Sequence, residues 1–158
     1  MFDGSTEIFE MLKRPNTIQI IPILNGKILI TREEQPNSKR KFGFYGGRAD
    51  EGEAPLVTAK RELLEESGLA SDDWELWKTY DPIVKMEWTI YIFIARNVRK
   101  VGEPVMEAGE KIAMQEVGFD KFVELFTSDG FWSPNFSNDL LRLKLAGRLE
   151  EFRKKLFP

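Results

Sequence analysis

The chain has 158 residues, is 42% hydrophobic and 31% charged, and carries a net charge of −3 with a pI near 5.2. It contains no cysteine, which excludes disulfides, thiol nucleophiles and zinc-cysteine sites. A length sufficient for one full hydrophobic core and the lack of any general basic field argue for small-molecule partners, with no duplex nucleic acid and no membrane surface among them.

A single domain over residues 1–158 is expected. No run approaches the roughly 18 apolar residues of a membrane span, and the opening Met-Phe-Asp-Gly-Ser lacks a signal-peptide pattern, so a cytoplasmic location is expected. Residues 5–13 read as a short helix capped by Ser5 or Thr6 and ended by Pro15. The β-rich runs 17–24 and 27–31 flank Asn25-Gly26, the dipeptide of a type I′ hairpin turn. Residues 32–41 are polar and basic and form a loop leading into a short strand at 42–45, just before Gly46-Gly47.

The next element is a helix. Pro55 suits its first position, and Gly68 suits a left-handed residue just past its end. Leu56, Val57, Ala59, Leu63 and Leu64 form an apolar sector, with Glu62, Glu65 and Glu66 roughly opposite. The i, i+3, i+4 spacing stacks these three carboxylates on one face, in the half of the helix where the macrodipole also disfavours negative charge. A divalent cation reverses the sign of both effects. An all-oxygen donor set, with no His and no Cys in the chain, suits Mg²⁺ or Mn²⁺ rather than Zn²⁺ or copper. Mg²⁺ keeps waters and recruits substrate phosphates, so the face suggests a site for a diphosphate bridged by metal ions.

Beyond it, residues 74–80 and 87–95 read as strands, the second covered on both faces. Residues 117–119 form a short strand before a helix at 120–126, and 137–156 form one long amphipathic helix. Strands before and after a central helix, with another long helix at the end, give an α/β class with an α/β/α sandwich.

Gly47, five residues to Glu53, seven to Arg61-Glu62-Leu63, one to Glu65-Glu66 and one to Gly68-Leu69 match every fixed position of the Nudix box, so the chain is identified as a member of the Nudix hydrolase family. In layout it most resembles ADP-ribose pyrophosphatase-like members. The resemblance implies the Nudix fold, a sandwich around a mixed β-sheet, and water attack on a phosphorus of a nucleoside diphosphate linked to another moiety. It implies Glu62, Glu65, Glu66 and the Gly46 carbonyl as metal ligands, and Arg61 orienting them through Glu53 or Glu65. The segment from Glu107 to Ile112 is similar to the acidic loop of ADP-ribose pyrophosphatases, which makes Glu110 the first candidate general base and Glu107 the second, or a substrate contact.

ADP-ribose or a related nucleotide sugar is the substrate this layout favours. Pro82, thirteen residues after Leu69, stands slightly closer than the proline associated with ADP-ribose, and without its Gly-rich context. Phe44-Tyr45-Gly46-Gly47 resembles the approach to the box in nucleoside triphosphate hydrolases, so (d)NTP hydrolysis is an alternative, and a non-catalytic nucleotide-binding module another. Phe44, Trp88, Phe131 and Trp132 are candidates to stack a base or ribosyl group, and Arg32 to reach a phosphate. A homodimer is a further alternative, since some hydrolases of this type pair through an N-terminal extension.

Overall fold

The computed structural model describes residues 4, 6, 8–33, 41–105, 112–131 and 133–158. Its first element is the short strand β1 (Leu12–Lys13), followed by the hairpin of β2 (Thr17–Leu24) and β3 (Lys27–Glu33). Asn25 and Gly26 both take positive φ, 48° and 74°, as a type I′ turn requires. Then come β4 (Phe42–Gly43), the helix α1 (Pro55–Ser67), β5 (Leu69–Ala70), β6 (Asp73–Tyr80), β7 (Met86–Glu87), β8 (Ile90–Arg96), β9 (Arg99–Lys100) and β10 (Ile112–Val117). The chain ends with α2 (Phe119–Phe126), α3 (Pro134–Leu145) and α4 (Leu149–Leu156).

The main sheet runs β10-β3-β2-β8-β6, with β4 also on β3. β2 and β8 are parallel while its other pairs are antiparallel, so the sheet is mixed. Alternation along β2 sends Ile18 and Ile20 to one face and Ile21 and Ile23 to the other. The first face packs on Ala59 and Leu63 of α1. The second carries a phenylalanine-rich core with Phe122 and Phe126 of α2, Phe136 and Leu140 of α3, and Phe152 and Leu156 of α4. Helices on both faces complete the expected sandwich.

Three expectations are corrected. No helix forms over the described part of residues 5–13; instead β1 pairs in parallel with β7, with Leu12 N–H donating to Lys85 O at 3.0 Å and Arg14 N–H to Glu87 O at 3.2 Å. So short a segment is marginal as a helix, and Ile8, Phe9, Met11 and Leu12 are all exposed, leaving no packed face to hold one. The C-terminal helix is two helices, broken at Gly147, which takes φ 67°. The reversal brings Phe152 and Leu156 back onto the core that already holds Phe136 and Leu140. On α1 the buried face is Thr58, Ala59, Leu63 and Ser67, while Leu56, Val57 and Leu64 are exposed, because only a narrow stripe meets β2 and β8.

Candidate active site

The loop before α1 runs along β2: Ile20 N–H donates to Tyr45 O and Ile18 N–H to Gly47 O, both at 2.8 Å. Gly46 takes φ 128°, and a Cβ there would stand 2.1 Å from the Ile18 carbonyl oxygen. At Gly47 a Cβ would stand 2.4 Å from Glu62 Oε1. Gly46 is therefore what lets the loop lie on β2, and Gly47 what lets Glu62 of α1 close onto the loop. Gly46 N–H donates to Glu66 Oε2 at 2.7 Å, fixing that carboxylate against the backbone.

α1 begins at Pro55, whose missing N–H costs nothing in a first turn. It ends at Gly68, where φ is 68° and the N–H returns to Leu64 O. On its polar face Arg61 works as a clamp. Its Nε and Nη2 donate to the two oxygens of Glu53 at 3.3 and 3.1 Å, and its Nη1 to Glu62 Oε1 and Glu65 Oε2, each at 3.0 Å. Nη2 also reaches Arg48 O at 3.3 Å, and the Thr58 hydroxyl donates to Glu53 at 2.8 Å.

The electrostatics follow from these contacts. Hydrogen bonds from Arg61 and then Thr58 hold the Glu53 carboxyl down at about 2. Burial pushes Glu62 the other way, above the ordinary carboxylate range, although Arg61 opposes it. Burial, with the charge of Glu66 added, also raises the Tyr45 hydroxyl. A half-buried carboxylate with a raised pKa beside further carboxylates is a site whose charge favours a cation.

Glu66 thus meets Gly46 and Glu62 lies against Gly47, while Glu65 joins Glu62 on Arg61. Among the described residues no three carboxylates converge closely enough to hold a metal ion, as Glu62 and Glu65 are drawn onto Arg61. The donor set itself, oxygen only and rich in carboxylate, fits a hard divalent cation. The Arg61–Glu62 bond and the Thr58–Glu53 bond did not emerge from the sequence. Thr58 stands five residues after Glu53 across the helix start, a spacing that marks no standard contact.

Arg32 is exposed on β3, in register with Phe42 and Ala113. Phe44 is buried, with ring centroids 4.8 Å from Phe126 and 4.8 Å from Phe136. Phe131 is buried 5.3 Å from Phe44. Trp88 donates from Nε1 to Thr17 Oγ1 at 3.0 Å, and the Arg14 guanidinium lies 4.1 Å over its ring. Glu107, Glu110 and Trp132 lie outside the described residues.

A model of the NUDIX domain matches residues 13–139. The chain belongs to the NUDIX domain family. It is 29% identical over 124 residues to an oxidized purine nucleoside triphosphate hydrolase of Danio rerio, covering 73% of this chain and 74% of that one. It is 28% identical over 102 residues to a methanol dehydrogenase activator of Bacillus methanolicus, covering 62% of this chain and 55% of the relative. An RNA pyrophosphohydrolase of Caulobacter vibrioides is 34% identical over 80 residues, 48% of this chain and 46% of that one. The chain thus spans about half the length of the last two. Among solved structures, an ADP compounds hydrolase aligns over 92% of this NUDIX chain and 83% of its own, with TM-score 0.67 and 20% identity, a likeness of fold.

Proposed function

We propose that this NUDIX chain is a divalent-metal-dependent pyrophosphohydrolase acting on a nucleoside diphosphate linked to another moiety, with ADP-ribose or a related nucleotide sugar as the favoured substrate and Mg²⁺ or Mn²⁺ as the cation. The observation that carries this reading is the acidic face of α1, closed onto Gly46 and Gly47 and clamped by Arg61. Glu62, Glu65, Glu66 and the Gly46 carbonyl would hold the cation. When bound, such a cation supplies charge neutralisation at the diphosphate and a lowered pKa for water. Arg61 orients Glu62 and Glu65 and, through Glu53, ties α1 to the loop before it, so its role is positioning. Glu110 is the first candidate for general base and Glu107 the second.

One finding favours a second reading, hydrolysis of nucleoside triphosphates: the Danio rerio relative, which covers 73% of this chain, is named for that activity. A hydrolysis screen of ADP-ribose, other nucleotide sugars, dinucleoside polyphosphates and (d)NTPs, with Mg²⁺ and with Mn²⁺, separates the two. Release of two phosphorylated products from ADP-ribose, abolished by EDTA, is the expected result. Turnover of triphosphates alone moves the assignment to the second reading, and nucleotide binding with no turnover of any substrate sinks both.

A further inference from the structure

On the phenylalanine-rich face of the sheet, across from α1, β6 and the turn between α3 and α4 form a cleft of about 480 Å³, a size typical of small-molecule sites. Its floor is apolar. Trp77 lies there with its ring centroid 4.8 Å from that of Phe152 and 5.3 Å from that of Phe136, and Leu143 joins it in the lining. Trp77 is only partly buried, so part of a flat indole is left open for a guest.

The rim is charged, and its carboxylates are already engaged. Asp139, which is buried, accepts on Oδ2 from the Lys78 ammonium and from the Tyr80 hydroxyl, the latter at 2.7 Å, and on Oδ1 from Arg142 Nη1 at 3.4 Å. Both oxygens of Glu151 accept from Arg148, from Nε at 2.7 Å and from Nη2 at 2.8 Å. Lys155 is engaged by Glu75. Among the described residues, what remains around the cleft is therefore donor capacity: the Nη1–Nη2 edge of Arg148, held in place by its fork to Glu151, most of the Arg142 guanidinium, and the further hydrogens of the Lys78 ammonium. Lys78, Arg142 and Arg148 outnumber Asp139 and Glu151, so the lining carries surplus positive charge in a chain whose net charge is −3.

We propose that this cleft is a second ligand site, separate from the acidic face of α1, for a nucleoside monophosphate: the base stacks on Trp77, and the phosphate accepts hydrogen bonds from Arg148, Arg142 and Lys78. A phosphate brings acceptors and negative charge, which are what the rim lacks, and the free guanidinium edge of Arg148 matches two of its oxygens. Inorganic phosphate leaves the indole uncovered, and an uncharged nucleoside leaves the cations unmatched, so the two parts of the cleft ask for both parts of the ligand. Stacking on a ring is tolerant of the base, so adenine and guanine are accepted alike.

The test is fluorine NMR of protein carrying fluorotryptophan, with EDTA present so that no cation draws nucleotide to α1, and with the Trp77 signal assigned from Trp77→Phe. AMP should move that signal saturably, and GMP should do the same. Adenosine and inorganic phosphate, each added alone, should bind about 10-fold or more weakly than AMP. Arg148→Gln should weaken AMP about 10-fold and leave Tm close to wild type, because its pair with Glu151 is exposed. Arg142→Gln, at another exposed position, should weaken AMP in the same direction. A Trp77 signal that millimolar AMP does not move overturns the proposal, and so does equal binding of adenosine or an AMP affinity that both variants leave unchanged. AMP binding lost in Glu66→Gln and kept in Arg148→Gln places the nucleotide at the α1 face and overturns it too. No turnover enters the readout, so failure of the hydrolase reading and failure of this site are told apart.

Discussion

Arg96 on β8 and Arg61 on α1 each gather carboxylates, yet the two clusters are balanced differently. Arg96 donates to Asp73 at 3.1 Å, to Glu75, and to the Lys155 carbonyl at 2.7 Å, while the Lys155 ammonium completes Glu75 at 2.6 Å. Two cations meet two carboxylates, Arg96 is buried, and the contacts tie β6, β8 and α4 together. Around Arg61 one cation meets Glu53, Glu62 and Glu65, with Glu66 beside them on the same helix face. A neutral cluster closes on itself and serves the fold. Among the described residues Glu53, Glu62 and Glu65 outnumber Arg61, and that excess of carboxylate is the feature on which the proposed cation site rests.

Removing a carboxylate from the surplus cluster should have the largest effect on function. Glu66→Gln is expected to lower kcat by about 10²–10³-fold while circular dichroism and Tm stay close to wild type, and a full-rate Glu66→Gln enzyme would separate the acidic face from catalysis. Breaking the neutral cluster should do the reverse. Arg96→Met strands Asp73 and Glu75 beside a partly unpaired network, which costs about 3 kcal/mol and lowers Tm by about 6–12 °C, with turnover per folded molecule retained below the transition. Arg61→Lys sits between them. A lysine cannot fork to Glu53, Glu62 and Glu65 together, so a loss of about 10–100-fold in kcat/KM with a small Tm change is expected. Should Arg61→Lys melt the protein as Arg96→Met does, the two clusters are the same kind of object and the contrast fails.

The sequence revealed the surplus cluster far more readily than the neutral one. Glu62, Glu65 and Glu66 are neighbours on one helix, so their meeting follows from 3.6 residues per turn, and Gly47 and Glu53 lie within the same short stretch. Asn25-Gly26 was equally readable, because a type I′ turn is a local demand on two residues. Arg96 meets Asp73 and the Lys155 carbonyl across 23 and 59 positions, a distance no periodicity carries. Phe44 looked like a free aromatic beside the site and is a core residue, since only the packing of α2 and α3 decides which side chains of the segment after β4 are covered. The break at Gly147 escaped for a related reason: the apolar spacing of α3 and α4 continues across it, and only the need to bring Phe152 back to the sheet makes the turn necessary.

The smallest expected effect compares a carboxylate from each cluster under acid. Glu53 is held at about 2 against an ordinary 4.5, by Arg61 first and Thr58 second. Glu75 is lowered too, by Lys155 first and with help from Arg96. A carboxyl lowered in the folded state stabilises it above the ordinary value, and that contribution disappears as pH falls through the folded-state value. For Glu53 the window runs from about 4.5 down to about 2. Tm followed by calorimetry across that window should drop less steeply in Glu53→Gln than in wild type, and less steeply again in the double variant with Glu75→Gln, because the two clusters share no residue and their contributions add. At pH 7 a saturating divalent cation should raise the Tm of wild type and Glu75→Gln alike, since the cation binds where charge is in surplus. A cation effect lost in Glu75→Gln would place the binding charge in the neutral cluster and invert the assignment of the two.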